Sequence, residues 1–220
     1  MRLACNNSKT NTSCSINSST AVLTFSGTGD CVVRATAAST NTYASGSVDV
    51  TFTITKDTLG QPNKPTVTNT PGVLKSLDVS WTAVTGASSY TIKVYDSSQV
   101  LKNTTTLASG TSKTILDTTN FLDDTAYTVT VTAIGNATYN DSIASTSSTA
   151  GKTAKTYTIS YAANNATSGS APTGFTYITG GSAVTVSSNS GTLARTGFTF
   201  AGWNTQADGN GTSYAAGTGT

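Results

Sequence analysis

The 220-residue chain carries 12 Lys and Arg against 10 acidic residues, and it contains no His and no Glu. General acid–base chemistry usually relies on His or Glu, and zinc sites usually combine His with Cys, so this composition argues against most enzyme classes. We therefore expect no catalytic residue, no metal ligand and no cofactor. The cations are scattered singly along the chain, which argues against a nucleic-acid partner. No apolar run approaches the roughly 18 residues of a transmembrane segment.

Charged residues make up only 10% of the chain, while hydrophobic residues make up 36%. The hydrophobic fraction is sufficient for packed cores, but the surface must be built from uncharged polar residues, mainly Ser and Thr. Thr suits the pleated surface of a strand because its branched Cβ packs well there. Helix signals are nearly absent. The spacing of strand-like runs predicts a mainly β protein of three small modules: residues 1–57, 60–152 and 155–220.

Four short strands are predicted in the first module, at residues 13–16, 21–25, 31–37 and 48–55, with turn residues between them. Cys14 shares a face with Ile16, and Cys31 shares a face with Val33. If both faces point inward, the two sulfurs meet in one core. A disulfide there would stabilise the module by about 3 kcal/mol in the chain-entropy model. The alternative is a pair of buried free thiols.

The segment from Cys14 through Cys31 to residues 50–54 resembles a bacterial Ig-like repeat, a module that occurs in tandem on surface proteins. The two cysteines of that family are typically paired, so the resemblance implies a Cys14–Cys31 disulfide in a partial Ig-like sandwich. The family's opening strands would lie before Cys14, where only residues 1–13 remain, and we expect this module to be incomplete. Cys5 then has no assigned partner.

Three alternations of large apolar residues with Thr or charged residues mark the central module. They contain Trp81, Tyr90 with Ile92, and Tyr127 with Val129. A period of two is typical of half-buried strands. Three such strands, each with one apolar face, need a second sheet to cover them, which predicts a β-sandwich.

Leu122 precedes Tyr127 by five residues, with the turn of Asp123 and Asp124 between them. This spacing is typical of a tyrosine corner, in which a buried ring donates its hydroxyl to nearby backbone. With Trp81 on an early strand, the segment resembles a fibronectin type III domain over nearly its whole length. We predict that its core contains Trp81, Tyr90, Ile92, Leu122, Tyr127 and Val129.

The loop at residues 135–141 is the place where several fibronectin type III domains carry an integrin-binding Arg-Gly-Asp tripeptide, and this chain has none there. Tyr139 in this loop is either a recognition residue or a ring packed on its own hairpin, and an isolated loop Tyr more often packs. Asp123 and Asp124 are neighbours in a turn, so their side chains diverge. We expect them to be solvated turn residues and not a catalytic pair.

In the third module, Tyr157, Ile159 and Tyr161 alternate, and strand signals return at residues 183–186 and 199–203. The stretch 196–217 closely resembles the internalin-type B repeat, also called the Listeria–Bacteroides repeat. That family folds as a small β-grasp-like unit and occurs in tandem on bacterial cell-surface proteins, some of them adhesins. Its last strand would follow Gly217, so we expect the unit to lack that strand. The aromatic residues predicted for its core are Phe198, Phe200, Trp203 and Tyr214.

Two other interpretations of the third module remain open. Asp208 and Asn210 place oxygen side chains alternately, as a calcium loop does, but no later acidic residue completes the ligand set, which favours a glycine-rich turn. Phe198, Phe200 and Trp203 form either a sugar-stacking platform or the core. A small module needs such aromatic residues in its core first.

Three modules of surface-protein type without a catalytic constellation predict a non-catalytic bacterial cell-surface or secreted protein that supplies stalk, spacer and adhesion modules outside the cell. The alternative is the accessory, non-catalytic region of a secreted polysaccharide-degrading enzyme. The expected partners are neighbouring repeats of a longer chain and an unidentified host-surface, cell-wall or polysaccharide ligand. We expect that ligand to bind the third module at an exposed strand edge, where unpaired backbone groups accept an added strand.

Overall fold

The computed structural model describes residues 1–5 and 13–218, and every regular element within them is a β-strand. The strands form several small sheets, not one continuous sheet. The predicted mainly β class is therefore confirmed. Thr and Ser occupy the outward positions of these strands, and this explains how a chain with so few charges is covered by polar groups.

The first module consists of β1 (Arg2–Cys5), β2 (Ser13–Ile16), β3 (Leu23–Ser26), β4 (Gly29–Ala37) and β5 (Gly46–Ile54). An antiparallel sheet has the order β1-β4-β5, and β2 and β3 form a separate hairpin. The hairpin lies against β1 and β4 through β2. The sequence pattern did not predict β1, which is short and alternates only between half-buried and exposed positions.

The central module consists of β6 (Asp57–Thr58), β7 (Thr66–Asn69), β8 (Ser76–Ser80), β9 (Ser89–Tyr95), β10 (Leu101–Leu107), β11 (Ser112–Leu116), β12 (Ala126–Ile134), β13 (Tyr139–Asn140) and β14 (Gly151–Lys152). One sheet has the order β10-β9-β12-β14, and the other has the order β11-β8-β7. All pairings inside these two sheets are antiparallel. The alternation predicted a β-sandwich, and the structure shows that its two sheets have four and three strands.

The central core lies between these two sheets. Of the predicted core residues, Trp81, Tyr90, Ile92, Tyr127 and Val129 are all buried. Along β12 the burial alternates strictly, with the Thr residues on the outer face. The ring of Trp81 meets the ring of Tyr90 edge to face, with 5.2 Å between centroids. Such aromatic pairs add about 0.5–1.5 kcal/mol beyond the area that they bury.

The prediction that Leu122 belongs to this core is wrong, because its side chain is 63% exposed. Its neighbour Phe121 is fully buried instead, with its ring centroid 4.7 Å from that of Tyr127. The two consecutive residues before β12 point in opposite directions, and Phe121, not Leu122, points into the core.

An irregular segment at residues 141–150 runs beside β12 and replaces most of a fourth strand. Three buried serines spaced three apart make the contact: Ser142, Ser145 and Ser148. Their amides donate to the carbonyls of Ala133, Val131 and Val129 at 2.9, 2.8 and 2.9 Å. Their hydroxyls accept from the amides of the same three residues at 2.9, 3.0 and 2.9 Å. The period of three is that of an extended polyproline-like chain, and it satisfies the edge of β12 without a regular ladder.

The third module consists of β15 (Thr156–Ile159), β16 (Phe175–Ile178), β17 (Trp203–Asn204) and β18 (Ser213–Tyr214). β15 pairs with β16, and β17 pairs with β18. The strand predicted at 199–203 is thus limited to its last residue and Asn204, and β16 was not predicted at all. Within the described residues, tight turns and side-chain-to-backbone hydrogen bonds organise much of this module. Asn189, for example, both donates to and accepts from Leu193.

Candidate functional site

Three sulfur atoms meet in the first module. Cys14 and Cys31 form the expected disulfide, which ties the β2–β3 hairpin to β4. Cys5, on β1, is a free, half-buried thiol whose Sγ lies 3.2 Å from Sγ of Cys14. All three sulfurs lie within 4.8 Å of one another. Because the bonded pair carries no thiolate, the oxidised cluster can offer a metal ion only one such ligand.

Two tyrosine hydroxyls hold turns of the central module. The Leu122 amide donates to Oη of Tyr127 at 2.8 Å, which is the tyrosine corner that the five-residue spacing predicted. The direction differs from the expectation, because here the hydroxyl accepts. Oη of Tyr90 accepts in the same way from the Val84 amide at 2.8 Å. Both rings are buried, and their hydroxyls are engaged by backbone amides within the module.

Asp117 lies in the turn that precedes the tyrosine corner, and hydrogen bonds hold its carboxylate in place. The Asp117 carboxylate accepts from the side chains of Asn103 and Asn120 at 2.9 Å each, and from the backbone amides of Thr119 and Asn120. Partial burial alone would raise its pKa, but these hydrogen bonds outweigh that effect and lower the pKa to about 2. The group stays ionised and donates no proton near neutral pH. It fixes the turn that brings Phe121 into the core.

Asp124 was expected to be a solvated turn residue, and it instead joins two cations. Its carboxylate lies 2.5 Å from Nζ of Lys152 and 3.3 Å from Nζ of Lys155. The hydrogen bond from Lys152 lowers the pKa of this carboxyl. All three side chains are more than a third exposed, so the pairs contribute little to stability. The neighbouring Asp123 is exposed.

Tyr139, the loop residue considered for recognition, packs against the central core. A Cβ added to Gly86 would lie only 2.8 Å from the Tyr139 ring, which shows how closely the ring covers that turn. The packed arrangement is therefore the one that this structure adopts.

Aromatic residues of the third module form an interior cluster. Nε1 of Trp203 donates to the Ser187 carbonyl at 2.7 Å, and the Ser187 amide donates to Oη of Tyr161 at 2.8 Å. The Trp203 ring is inclined by 55° to Tyr161 and by 73° to Phe200. Rings tilted in this way present no common flat face to a sugar. Trp203, Phe200 and Tyr214 are all half-buried, and Tyr214 lies opposite Trp203 in the β17–β18 pair.

Phe198 was predicted to lie in this cluster, and that prediction is wrong. The side chain is 67% exposed and packs under the Arg195 guanidinium, 4.5 Å from the ring centroid. A tight turn explains its position, because the Phe198 amide donates to the Arg195 carbonyl and Gly197 adopts a φ of +81°. This turn directs Phe198 outward, and Leu193 is buried in the module instead.

The glycine-rich loop at 208–211 is closed by an amide side chain at its centre. Nδ2 of Asn204 donates to the carbonyls of Gly209 and Gly211 at 3.0 and 3.1 Å and to Oγ of Ser213 at 2.9 Å. Its Oδ1 accepts from the amides of Gln206 and Gly211. The amide nitrogen thus satisfies the carbonyl oxygens that would otherwise face a cation. The geometry is that of a hairpin turn and not of a calcium loop.

The linker between the first and central modules is bound to the central module along its length. β6 pairs in parallel with β13, and Nζ of Lys56 donates to the Asn136 carbonyl at 2.7 Å. The Leu59 amide donates to the Asn140 carbonyl at 3.2 Å, and the Leu59 side chain is buried in the central core. This linker is therefore a fixed part of the sandwich.

A second junction joins the central and third modules turn to turn. The Gly72 amide donates to the Thr179 carbonyl at 3.0 Å, and the Thr179 amide donates to the Lys155 carbonyl at 2.9 Å. A Cβ on Gly180 would lie 2.9 Å from Cα of Pro71. The two backbones approach so closely that only glycine fits, and a φ of +76° at Gly180 requires glycine as well.

In the described part of the chain, the candidate residues pack aromatic rings, hold turns by hydrogen bonds and join the central module to the third. No helix in this part is long and apolar enough to cross a membrane. The architecture defines a class: a protein of tandem β modules centred on a fibronectin type III-like sandwich. Residues 157–220, which make up nearly all of the third module, match the family model of the Listeria–Bacteroides repeat domain. No curated protein matches the chain.

Several solved structures are similar to parts of this chain. A Fn3-like protein from Clostridium thermocellum is 20% identical, with a TM-score of 0.35, over 45% of this chain and 95% of that one. A two-domain fibronectin type III segment from chicken tenascin is 16% identical, with a TM-score of 0.37, over 66% of this chain and 79% of that one. The BSP domain of a biofilm-associated protein is 19% identical, with a TM-score of 0.28, over 69% and 24%. The strand order of the two sheets defines the fold of the central module.

Proposed function

We propose that this chain is a non-catalytic part of a bacterial surface or secreted protein, in which it holds adhesion modules at a fixed spacing outside the cell. The observation that carries the proposal is that backbone hydrogen bonds hold the linker at residues 57–59 against the central module and join the central module to the third. A polar or glycine-rich linker without such contacts would leave the modules free to rotate as a flexible coil. The buried Leu59 anchors the linker that follows the first module, and the close approach of Gly180 to Pro71 fixes the contact between the central and third modules.

The adhesive part of the proposal is placed in the third module. Its two-stranded sheets leave backbone groups at their edges that can pair with an added strand. Residues 157–220 also match the Listeria–Bacteroides repeat domain. The ligand class that we propose is a host-surface, cell-wall or polysaccharide component. The central module then acts as the spacer, since Tyr90, Tyr127 and Tyr139 are engaged within the module.

The spacer function is tested by loosening the second junction without changing either module. Gly180→Ala introduces a Cβ into contact with Pro71, while Gly209→Ala introduces the same strain, at a φ of +81°, where nothing lies within 4 Å. Spin labels at the exposed residues Thr104 and Gln206 report the distance between the modules in a Cys5→Ser chain. We expect a narrow distance distribution in the parent and in the Gly209 variant, and a broader one in the Gly180 variant.

A broad distribution in the unmodified chain would contradict the spacer proposal, as would hydrolysis of any polysaccharide by the purified chain. Binding is measured on host cells and on immobilised wall polysaccharide, with residues 60–152 alone as the comparison. If that segment carried all of the binding, the assignment of adhesion to the third module would be wrong.

A further inference from the structure

The three cysteines of the first module converge on one face of its sheet. Cys5 of β1 stands opposite Val33 of β4, so their side chains point to the same face, and Cys31 lies two residues before Val33 on that face as well. Cys14 of β2 reaches the same face from the hairpin that lies against β1 and β4. One cysteine of the hairpin thus meets one cysteine on each of two neighbouring strands.

Cys14 is bonded to Cys31, and its sulfur also touches the free thiol. Sγ of Cys5 lies 3.2 Å from Sγ of Cys14. The bond length of a disulfide is about 2.05 Å, so a movement of about 1 Å would join the two atoms. A thiolate in contact with a disulfide sulfur is the arrangement from which thiol–disulfide exchange starts. The sulfur of Cys14 is therefore within reach of two alternative partners.

We propose that Cys5 is a resident exchange thiol, through which the disulfide passes between Cys5–Cys14 and Cys14–Cys31. From the pairing in the structure, the Cys5 thiolate attacks Sγ of Cys14. The Cys5–Cys14 bond forms, the Cys14–Cys31 bond breaks, and its electron pair leaves on Sγ of Cys31, which takes up the proton that Cys5 gave up. One disulfide and one thiol are present before and after, so the step needs no oxidant or reductant.

The exchange requires a movement of the Cys5 side chain. Attack in line with the bond that breaks would place Sγ of Cys5 more than about 5 Å from Sγ of Cys31. The two atoms lie within 4.8 Å of each other, so the half-buried Cys5 side chain rotates behind Cys14 before it reacts. The thiol that exchange releases is fully buried, since Cys31 is 0% exposed. A reagent that alkylates Cys5 in the folded chain is therefore kept from Cys31.

Loop length gives the exchange a direction while the disulfide is being formed. The sequence separation is 9 between Cys5 and Cys14 and 17 between Cys14 and Cys31. Because loop closure in an unfolded chain falls with about the 3/2 power of length, the shorter loop should close about two to three times more often. Folding of β4 beside β1 then brings Cys31 to the same sulfur, and exchange passes the bond on. Cys5 is thus the entry point for the disulfide that the folded module keeps.

Oxidative refolding of the full, reduced chain with oxidised glutathione tests the pathway; the glutathione is reduced as the protein thiols are oxidised. Samples are quenched with acid, and their disulfides are assigned by peptide mapping. We expect Cys5–Cys14 to form first and Cys14–Cys31 to replace it. The isolated Cys5–Cys14 species, returned to mildly alkaline buffer without oxidant or reductant, should convert at a rate independent of protein concentration. The proposal is overturned if Cys5–Cys14 never forms, does not convert, or converts at a rate proportional to concentration.

Variants separate exchange from a structural role of Cys5. Cys5→Ser removes the exchange thiol and should form Cys14–Cys31 about threefold more slowly than the parent, since only the longer loop is left to close. Ala4→Ser is the matched control, because it changes the neighbouring, exposed position of β1 and keeps all three thiols. Hydrogen exchange at the amides of β4 and β5 verifies the fold of each oxidised variant. Equal rates for the parent and Cys5→Ser would refute the role of Cys5.

Discussion

Replacing Ser145 with Ala removes one buried hydroxyl from the segment that runs beside β12. That hydroxyl accepts from the Val131 amide at 3.0 Å, and the side chain of Ser145 is only 5% exposed. The variant leaves a buried backbone N–H without a partner, while the Ser145 amide can still donate to the Val131 carbonyl. Leaving one buried polar group unsatisfied costs about 1–3 kcal/mol. Because a single oxygen is deleted, little cavity cost is added, and we expect a loss of about 2 kcal/mol.

The assay is urea unfolding of the central module, followed by the fluorescence of Trp81 in a chain with Trp203→Phe. Ser147→Ala is the matched control, because Ser147 is exposed two residues further along the same segment. Its effect should stay within about 0.5 kcal/mol. Hydrogen exchange at the Val131 amide should accelerate in the Ser145 variant alone. Equal stability of the two variants would refute the view that the three serines replace a regular strand along most of β12.

Two further predictions concern the cysteines and the turn at Asp117. Alkylation of the folded, oxidised protein should modify Cys5 alone, and labelling of Cys14 or Cys31 would contradict the disulfide. The folded-state pKa of Asp117, about 2, lies below its unfolded value, so its contribution is complete above about pH 4 and is lost as the pH falls towards 2. Asp117→Asn should cost about 1 kcal/mol at pH 7, after allowance for solvent screening, and the difference from the parent should shrink between pH 4 and 2 in urea titrations. Asp123→Asn is the control, and a pH-independent difference for Asp117→Asn would refute the assignment.

The sequence predicts best where a strand is half-buried and long. In β9 and β12 the period of two identifies the inward residues, because burial and side-chain direction alternate together. The spacing of Leu122 and Tyr127 likewise predicts the tyrosine corner. It does not show that Phe121 is the buried residue, because the turn fixed by Asp117 sets which of two adjacent apolar residues points inward.

Hydrophobic periodicity does not predict the segment at residues 141–150, the third module or the junctions. The segment at 141–150 has the composition of a polar linker, and only the three-residue spacing of its serines points to pairing with β12. The third module is shaped by turns such as the one before Phe198 and by the amide of Asn204, and these contacts have no hydrophobic periodicity. The junctions depend on contacts between residues far apart in the chain, such as Gly72 with Thr179, which a local pattern cannot predict.

The central claim is that the modules are held in fixed orientation, and nuclear spin relaxation of the backbone amides tests it most directly. If both junctions are closed, amides in β4, β9 and β15 report one common, slow rotational correlation time for the whole chain. If the modules move independently, each reports a shorter value set by its own size. We predict the common value, with Gly180→Ala separating the third module from the other two. Separate correlation times in the unmodified chain would contradict the spacer function.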